Sequence, residues 1–345
     1  MTTGLKEKVR GMEYIKFSDI GEKQWDAYLE NIQGSTFNYL SNKMKFDLEY
    51  SIYVQQNESF LLISDKKAIG VAIVYIEELN HIKSVSWSGG YLPAPVVDQK
   101  LSYSLQEKYM AMLLKRIEEI GRQHKCKKIL MRMDPLTNPD EQYKLYNYNY
   151  MLKEIYEDRS SLSQILDLRK EENVLFSGIR KGHKSDIKKA DYSITFFDKE
   201  NITEDVIKEY RRIYECDAGM VTRNSQMSHH YLKFAQDGNG LVGIAKKGHE
   251  NVAVIIVTLY KDTAYYSSYA ELTDKLEHIS VGHVLQWETI LELKKRGIAF
   301  YEIGEQVFGK THYSDPDKKL INISRFKRGF GGYTVPFYRG IKGLG

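Results

Sequence analysis

The feature that most constrains this chain is that it repeats. Apolar runs at 59–64, 68–76 and 84–87, each bounded by charged or glycine-containing turns, read as an antiparallel meander. A helix is expected over 101–124, where Leu105, Met110, Leu113, Leu114, Ile117 and Ile120 recur at helical spacing and Gly121 lies near the stop. A strand then returns over 128–133 and ends at Asp134-Pro135. The same order recurs later: runs at 241–245, 252–260 and 264–269, a helix over 283–296 stopped by Gly297, and a strand over 298–303. Leu61 to Val242, Gly121 to Gly297 and Leu130 to Tyr301 are steps of 181, 176 and 171, a drift that small insertions account for. A period of about 175 residues belongs to whole domains rather than to a solenoid. Two mixed α/β domains are expected, at 12–155 and 160–345, in a chain of 345 residues that exceeds the usual single-domain size. In each, the helix returns the chain by a crossover, so the closing strand should lie parallel to the strand before it.

Composition narrows the function classes. With 42% hydrophobic and 28% charged residues the chain is an ordinary globular mixture. No run approaches the roughly 18 apolar residues of a membrane helix, and the N-terminus lacks the apolar core of a signal peptide, so a cytoplasmic location is expected. Cys126 and Cys216 are too few for a disulfide framework and lack zinc-site spacing. A net charge of +4 means that anion recognition must come from a local cluster. Hydrolase, kinase and metalloenzyme signatures (Gly-x-Ser-x-Gly, a phosphate loop, His-Glu-x-x-His) are absent from the sequence, and no metal is expected.

Two segments carry candidate chemistry. Between Phe176 and Ala190, Arg180, Lys184 and Lys188 stand at i, i+4 and i+8, one stripe if the stretch is helical, with Lys181 and Lys189 beside it. Such a stripe can hold phosphates, or it can be a solvated helix face. Gly178 and Gly182 weaken the helix, each by about 1 kcal/mol against alanine. The second segment, Phe326-Lys327-Arg328-Gly329-Phe330-Gly331-Gly332, sets two cations between aromatics and beside glycines that let backbone approach a ligand. Its bland reading is a glycine-rich turn with solubilising charges.

Meander, helix, strand is the order of a GNAT acyltransferase domain, so the chain resembles a tandem duplicated GNAT protein with mixed α+β sheets. The basic segment Phe176–Ala190, the run Gly297-Ile298-Ala299-Phe300-Tyr301-Glu302-Ile303-Gly304 and the segment Ile323-Ser324-Arg325-Phe326-Lys327-Arg328-Gly329-Phe330-Gly331 resemble the Fem family of peptidoglycan-bridge aminoacyltransferases. Arg132-Met133-Asp134-Pro135 matches a family habit too, and the likeness is loose before Leu130. The sequence departs from the family where Glu302 replaces the usual Asp, where Glu305 stands at a common glycine, and in having no long helical hairpin in its second half.

The resemblance implies an aminoacyl transfer from aminoacyl-tRNA to an amine of a nucleotide- or lipid-linked cell-wall precursor, with no tightly bound cofactor. A tRNA acceptor end is then a partner, and peripheral membrane contact through a lipid-linked substrate is allowed. It places Lys327 at the reaction centre, where a cation would stabilise the oxyanion formed when the amine attacks. Proton removal from the amine needs a carboxylate, a histidine or a substrate-assisted relay, and Glu302 and Glu305 are the candidate bases. Phe326, Arg328, Arg180, Lys181, Lys184 and Lys188 would serve the donor's phosphates. Exposed N–H groups at Gly282 and His283 could bind an anion through the helix dipole, although Ser280-Val281-Gly282-His283 is a poor copy of the loop that acetyl-CoA enzymes carry there. Tyr269, Lys43 and Arg223, the last just after a helix expected over 204–216, would contact the acceptor. His183, His229, His230 and His312 have no partner spacing and read as structural or surface residues. Gly89-Gly90-Tyr91-Leu92-Pro93-Ala94-Pro95, the first-half counterpart of the donor loop, has two prolines, so that half is assigned to substrate binding. Two other readings remain: an N-acyltransferase using acyl-CoA or acyl-carrier protein on an amino sugar of a surface polysaccharide, and a non-catalytic GNAT-like binding module.

Overall fold

The computed structural model describes residues 11–218, 225–272, 280–311 and 314–345. They divide into two compact units, one of residues up to Ser161 together with Pro336–Gly345, the other Leu162–Val335. The division falls near the expected boundary at 155–160, but the chain end does not stay with the second half. Strand Arg339–Gly343 pairs antiparallel with Lys128–Arg132 and with Glu157–Asp158, both in the first unit. Its backbone hydrogen bonds carry that membership, since Arg-Gly-Ile-Lys-Gly has almost no apolar pattern of its own.

In the first unit the apolar run 68–76 breaks into two strands of different sheets. Lys67–Ala72 pairs with Phe60–Ser64 in a four-stranded sheet, whereas Tyr75–Leu79 pairs with Ile82–Val85 in a seven-stranded one. Ile73 and Val74, fully buried, carry the chain between them. Helix Tyr103–Gln123 buries Met110, Leu113, Leu114 and Ile117 at i, i+3, i+4 and i+7, the stripe that the sequence displays. Lys125, at φ 59, turns the chain out of this helix.

The second unit is built on a seven-stranded sheet in the order Ser193–Phe197, Gly240–Lys247, Glu250–Tyr260, Thr263–Glu271, Phe300–Gln306, Ser161–Asp167 and Tyr333–Phe337. Gly240–Lys247 and Glu250–Tyr260 are buried over nearly their whole lengths, which their unbroken apolar runs require. Helix Val281–Lys295 covers one face with Leu285, Trp287, Ile290 and Leu293, which pack with Ile255, Tyr301 and Phe330. It is buried on most sides, so its apolar residues are spread round the helix rather than gathered in one stripe. Helix Glu204–Ala218 extends the expected 204–216 by two residues and buries Val206, Ile207, Tyr210 and Ile213. In both units the helix is a crossover between parallel strands, Ile82–Val85 with Lys128–Arg132 and Thr263–Glu271 with Phe300–Gln306. The duplication inferred from the offsets is thus a duplication of topology.

Candidate active site

Strands Thr263–Glu271 and Phe300–Gln306 pair only from Thr263 opposite Phe300 to Tyr265 opposite Glu302. Beyond that point bulges lead them apart. In one, Ile256 faces Ser268 and Val257 faces Tyr266, leaving Ser267 as an extra residue; in the other, Gln164 faces Gly304 and Ile165 faces Glu302, leaving Ile303. An extra residue bends its strand and raises the local twist, so a wedge opens between Tyr266 and Gly304. The first unit starts the same wedge, with Ser84 opposite Lys128 and Val85 opposite Ile129. There Leu92–Pro93 takes over the pairing with Met131–Arg132, and Ala94 N donates to Arg132 O at 2.7 Å. The first wedge is closed by its own chain, whereas no described strand closes the second.

Lys327 reaches the open wedge from the last turn of helix Lys318–Arg328. Its Nζ stands 4.4 Å from the centre of the Tyr266 ring and against Gly304, where a Cβ would collide with it. Gly304 also has φ +108, a backbone that residues with a Cβ rarely adopt, so glycine is needed there for both conformation and room. Burial lowers the pKa of Lys327 below the usual 10.5, and the negative charges of Glu302 and Glu305 oppose that shift. Glu302 is buried and accepts a hydrogen bond from Ser163 Oγ, while Glu305 is exposed. The three residues expected to be catalytic are thus gathered around one ammonium, the two glutamates on strand Phe300–Gln306 and the lysine on the helix beside the wedge.

The opposite wall holds groups that the sequence did not single out as catalytic. Tyr269 donates from its hydroxyl to Glu271, the last residue of its strand. Burial pushes the Glu271 carboxyl above its usual 4.5; the Tyr269 hydrogen bond opposes this and the nearby charge of Asp217 adds to it. Burial, with Glu271 and Asp217 behind it, raises the Tyr266 phenol as well, so this phenol stays protonated beside Lys327. A carboxylate with raised basicity on one wall and a half-buried cation on the other can receive a proton and stabilise a developing negative charge. Glu271 was legible only as a strand-end acid, because Asp217 comes from a helix more than fifty residues away.

The basic segment is arranged differently from one stripe. Its helix is Lys181–Lys189, and Arg180 is the extended residue before it, held by its N–H to Gly329 O at 2.8 Å. Lys184 and Lys188 project over Phe176, at 5.9 and 5.6 Å, and Lys184 Nζ donates to Ser177 O at 2.8 Å. Lys181 is exposed. Arg180 turns instead to His183 Nε2, whose ring is buried against His283 (4.0 Å between centres), Phe330 (4.8 Å) and Phe326 (5.5 Å). Gly329 makes room for that imidazole, since a Cβ there would overlap it. Burial, then the charges of His283 and Arg180, lower His183 from 6.5 to about 3. His283 is lowered too, by burial against the opposing pull of Asp186, whose carboxylate lies 2.8 Å from its Nδ1.

This packing corrects the expectation of an open anion site at Gly282 and His283. Val281 and Gly282 are buried, with the Tyr269 hydroxyl and the Phe326 ring lying against Gly282. Phe326 is therefore a packing residue beside the helix start. Arg328 donates to Gln306 Oε1 at 3.0 Å and lies 4.1 Å from the centre of the Phe308 ring. In the first unit Lys43 is ion-paired with Asp47 and lies 5.2 Å from the Phe46 ring and 5.1 Å from the Trp87 ring. Burial lowers its pKa and raises that of Asp47. His230 is buried and His229 exposed, while Arg223 and His312 lie outside the described residues.

Residues 177–315 match the acetyltransferase (GNAT) domain family. Among solved structures, FemX aligns with a TM-score of 0.65 at 14% identity, over 94% of this chain and 96% of that one. L-PGS from Bacillus licheniformis aligns at 0.57 and 13%, over 93% and 91%. A tandem GNAT protein from the clavulanic acid biosynthesis pathway aligns at 0.50 and 12%, over 97% and 99%. No curated protein matches the chain in sequence. Identities this low speak for the fold alone. With two crossover units, the second matching the family, this chain has the Fem-like tandem GNAT fold, and its second unit is an acyltransferase domain of the GNAT type.

Proposed function

We propose that the protein transfers an aminoacyl group from an aminoacyl-tRNA to an amine of a cell-envelope precursor, a nucleotide- or lipid-linked peptidoglycan intermediate. The observation that carries this reading is Lys327, half-buried at the wedge that no described strand closes, with a carboxylate of raised basicity at the end of the facing strand. In the proposed reaction the acceptor ammonium loses a proton to Glu271, with Glu302 and Glu305 as the other acids in reach of Lys327. The free amine nitrogen then bonds to the ester carbonyl carbon, and the C=O electron pair moves onto oxygen, where the Lys327 ammonium stabilises it. Collapse of that intermediate restores the C=O and breaks the ester bond, and the departing ribose oxygen takes the proton that the attacking nitrogen sheds on becoming an amide.

The match of residues 177–315 to an acetyltransferase domain favours a second donor, acyl-CoA, on the same fold and the same lysine. Incubating the purified protein with envelope-precursor extract and either a labelled aminoacyl-tRNA pool or labelled acetyl- and acyl-CoA separates the two. RNase-sensitive transfer supports the first reading. Transfer from CoA that survives RNase replaces it with the second, and label from neither donor refutes both.

A further inference from the structure

The second unit carries three arginines and an exposed aromatic ring that the wedge chemistry does not use. Phe308 follows the strand Phe300–Gln306 and is 57% exposed. It does not hang on a loose segment: Val307 N donates to the buried Ser324 Oγ at 2.9 Å, tying the backbone beside it to helix Lys318–Arg328. One side of the ring is taken by the Arg328 guanidinium at 4.1 Å, a stacking geometry, and more than half of its surface is open. Arg325 lies one turn earlier on the same helix and is exposed. Arg180 is pinned beside the helix end by its backbone bond to Gly329 O. Burial and then the charges of Arg180 and Arg325 lower the Arg328 guanidinium, so the three groups sense one another. None of the three forms an ion pair with a described residue. Like charges gathered without an ion pair to a described residue are a standing repulsion that an anion relieves.

We infer that Phe308, Arg328, Arg325 and Arg180 form a nucleotide-docking site in which a base stacks on the open part of the Phe308 ring and its phosphates lie among the guanidinium groups. Both halves of the ligand follow from the side chains: a flat ring surface suits a nucleobase, and planar forks of N–H donors suit phosphate oxygens. The site rests on the acyl-transfer reading and deepens it by naming the part of the donor that binds here, with Arg325 and Arg328 one turn or less from Lys327 on the same helix. The same chemistry is offered by the single-stranded end of an RNA and by the adenosine diphosphate portion of coenzyme A, and the test separates them.

The probes are a fluorescein-labelled single-stranded oligoribonucleotide ending in adenosine, followed by anisotropy, and coenzyme A as competitor, with the full chain. Phe308→Ala should weaken oligoribonucleotide binding by about tenfold or more, and Phe308→Trp should restore it. Arg325→Ala should lower the slope of log affinity against log salt by about 0.7, the share of one phosphate contact on a single strand. Far-UV circular dichroism melts of the variants check that they are folded. If coenzyme A displaces the probe and the same variants weaken both, the site stands with coenzyme A as an equal source. Binding unchanged in both variants, or no binding of either probe by the wild-type chain, overturns the inference. Because binding is read without turnover, loss of transfer in a Lys327 variant that still binds the probe leaves this site intact. A working transferase whose Phe308 and Arg325 variants bind normally sinks the site alone.

Discussion

Replacing Gly304 with alanine is a small change with two separable costs. The backbone at this position has φ +108, so alanine introduces strain of about 1–3 kcal/mol. For a unit of the size of Leu162–Val335 that lowers the melting temperature by roughly 2–12 °C, at about 2–4 °C per kcal/mol. The second cost is kinetic. The new Cβ takes the space of Lys327 Nζ, and a lysine end is flexible enough to move away at little energy, but it then no longer stands over Tyr266 at the wedge mouth. A misplacement of about 1 Å in a catalytic group costs on the order of a hundredfold in rate. The assay is single-turnover transfer of labelled donor, alongside a thermal melt at the same pH. Gly309→Ala is the control, because a Cβ there meets nothing within 4 Å and its φ lies outside the restricted region. Gly304→Ala should melt lower and transfer about a hundredfold more slowly, while Gly309→Ala changes neither. Transfer by Gly304→Ala within twofold of wild type would refute the placement of the reacting centre at Lys327 Nζ.

Other outcomes follow from the charged groups. Folded His183 titrates at about 3, whereas an unfolded imidazole takes its proton near 6.5, so between those values the unfolded chain binds more protons and stability falls as pH falls. The loss should be about 1.4 kcal/mol per pH unit below 6.5, read by urea denaturation, with His283 acting in the same direction; a flat stability profile from pH 7 to 4 would contradict the buried, neutral pair. If Glu271 takes the proton, kcat/KM should fall as pH drops through a pKa above 4.5, and that limb should vanish in Glu271→Gln but persist in Glu302→Gln. If Lys327 acts as a cation, the rate should also fall as pH rises through a pKa below 10.5; Lys327→Arg, where some rate survives, should move that limb upward, and an unmoved limb assigns it to another group.

The parts of the fold that were legible in the sequence are those whose packing imposes a period. Met110, Leu113, Leu114 and Ile117 show their helix, and the buried runs of Glu250–Tyr260 show their strand, because one partner surface fixes the spacing. The break at Ile73-Val74 was hidden: both residues are buried, so no polar position marks where the chain changes sheets. Helix Lys318–Arg328 was hidden for the opposite reason. Ser324 is its only buried residue, and Leu320 and Ile323, at i and i+3, are exposed, so its apolar positions do not mark a buried face and tertiary contacts hold it.

The site was legible to the same extent. Lys327, Glu302 and Glu305 could be named because they stand in motifs, whereas Glu271 and Asp217 become a pair only after a helix and a strand end meet. Arg180 left the expected stripe because its backbone is committed to Gly329, a contact across about 150 residues that spacing along the chain does not encode.

The most direct measurement of the central claim is single-turnover transfer by Lys327→Ala against wild type, with precursor binding measured in parallel by calorimetry. Transfer should fall by about 10²–10³, the usual loss of one oxyanion-stabilising group, while precursor affinity stays within a few-fold. Transfer at the wild-type rate would remove Lys327 from the reaction and with it the assignment of the open wedge as the active site.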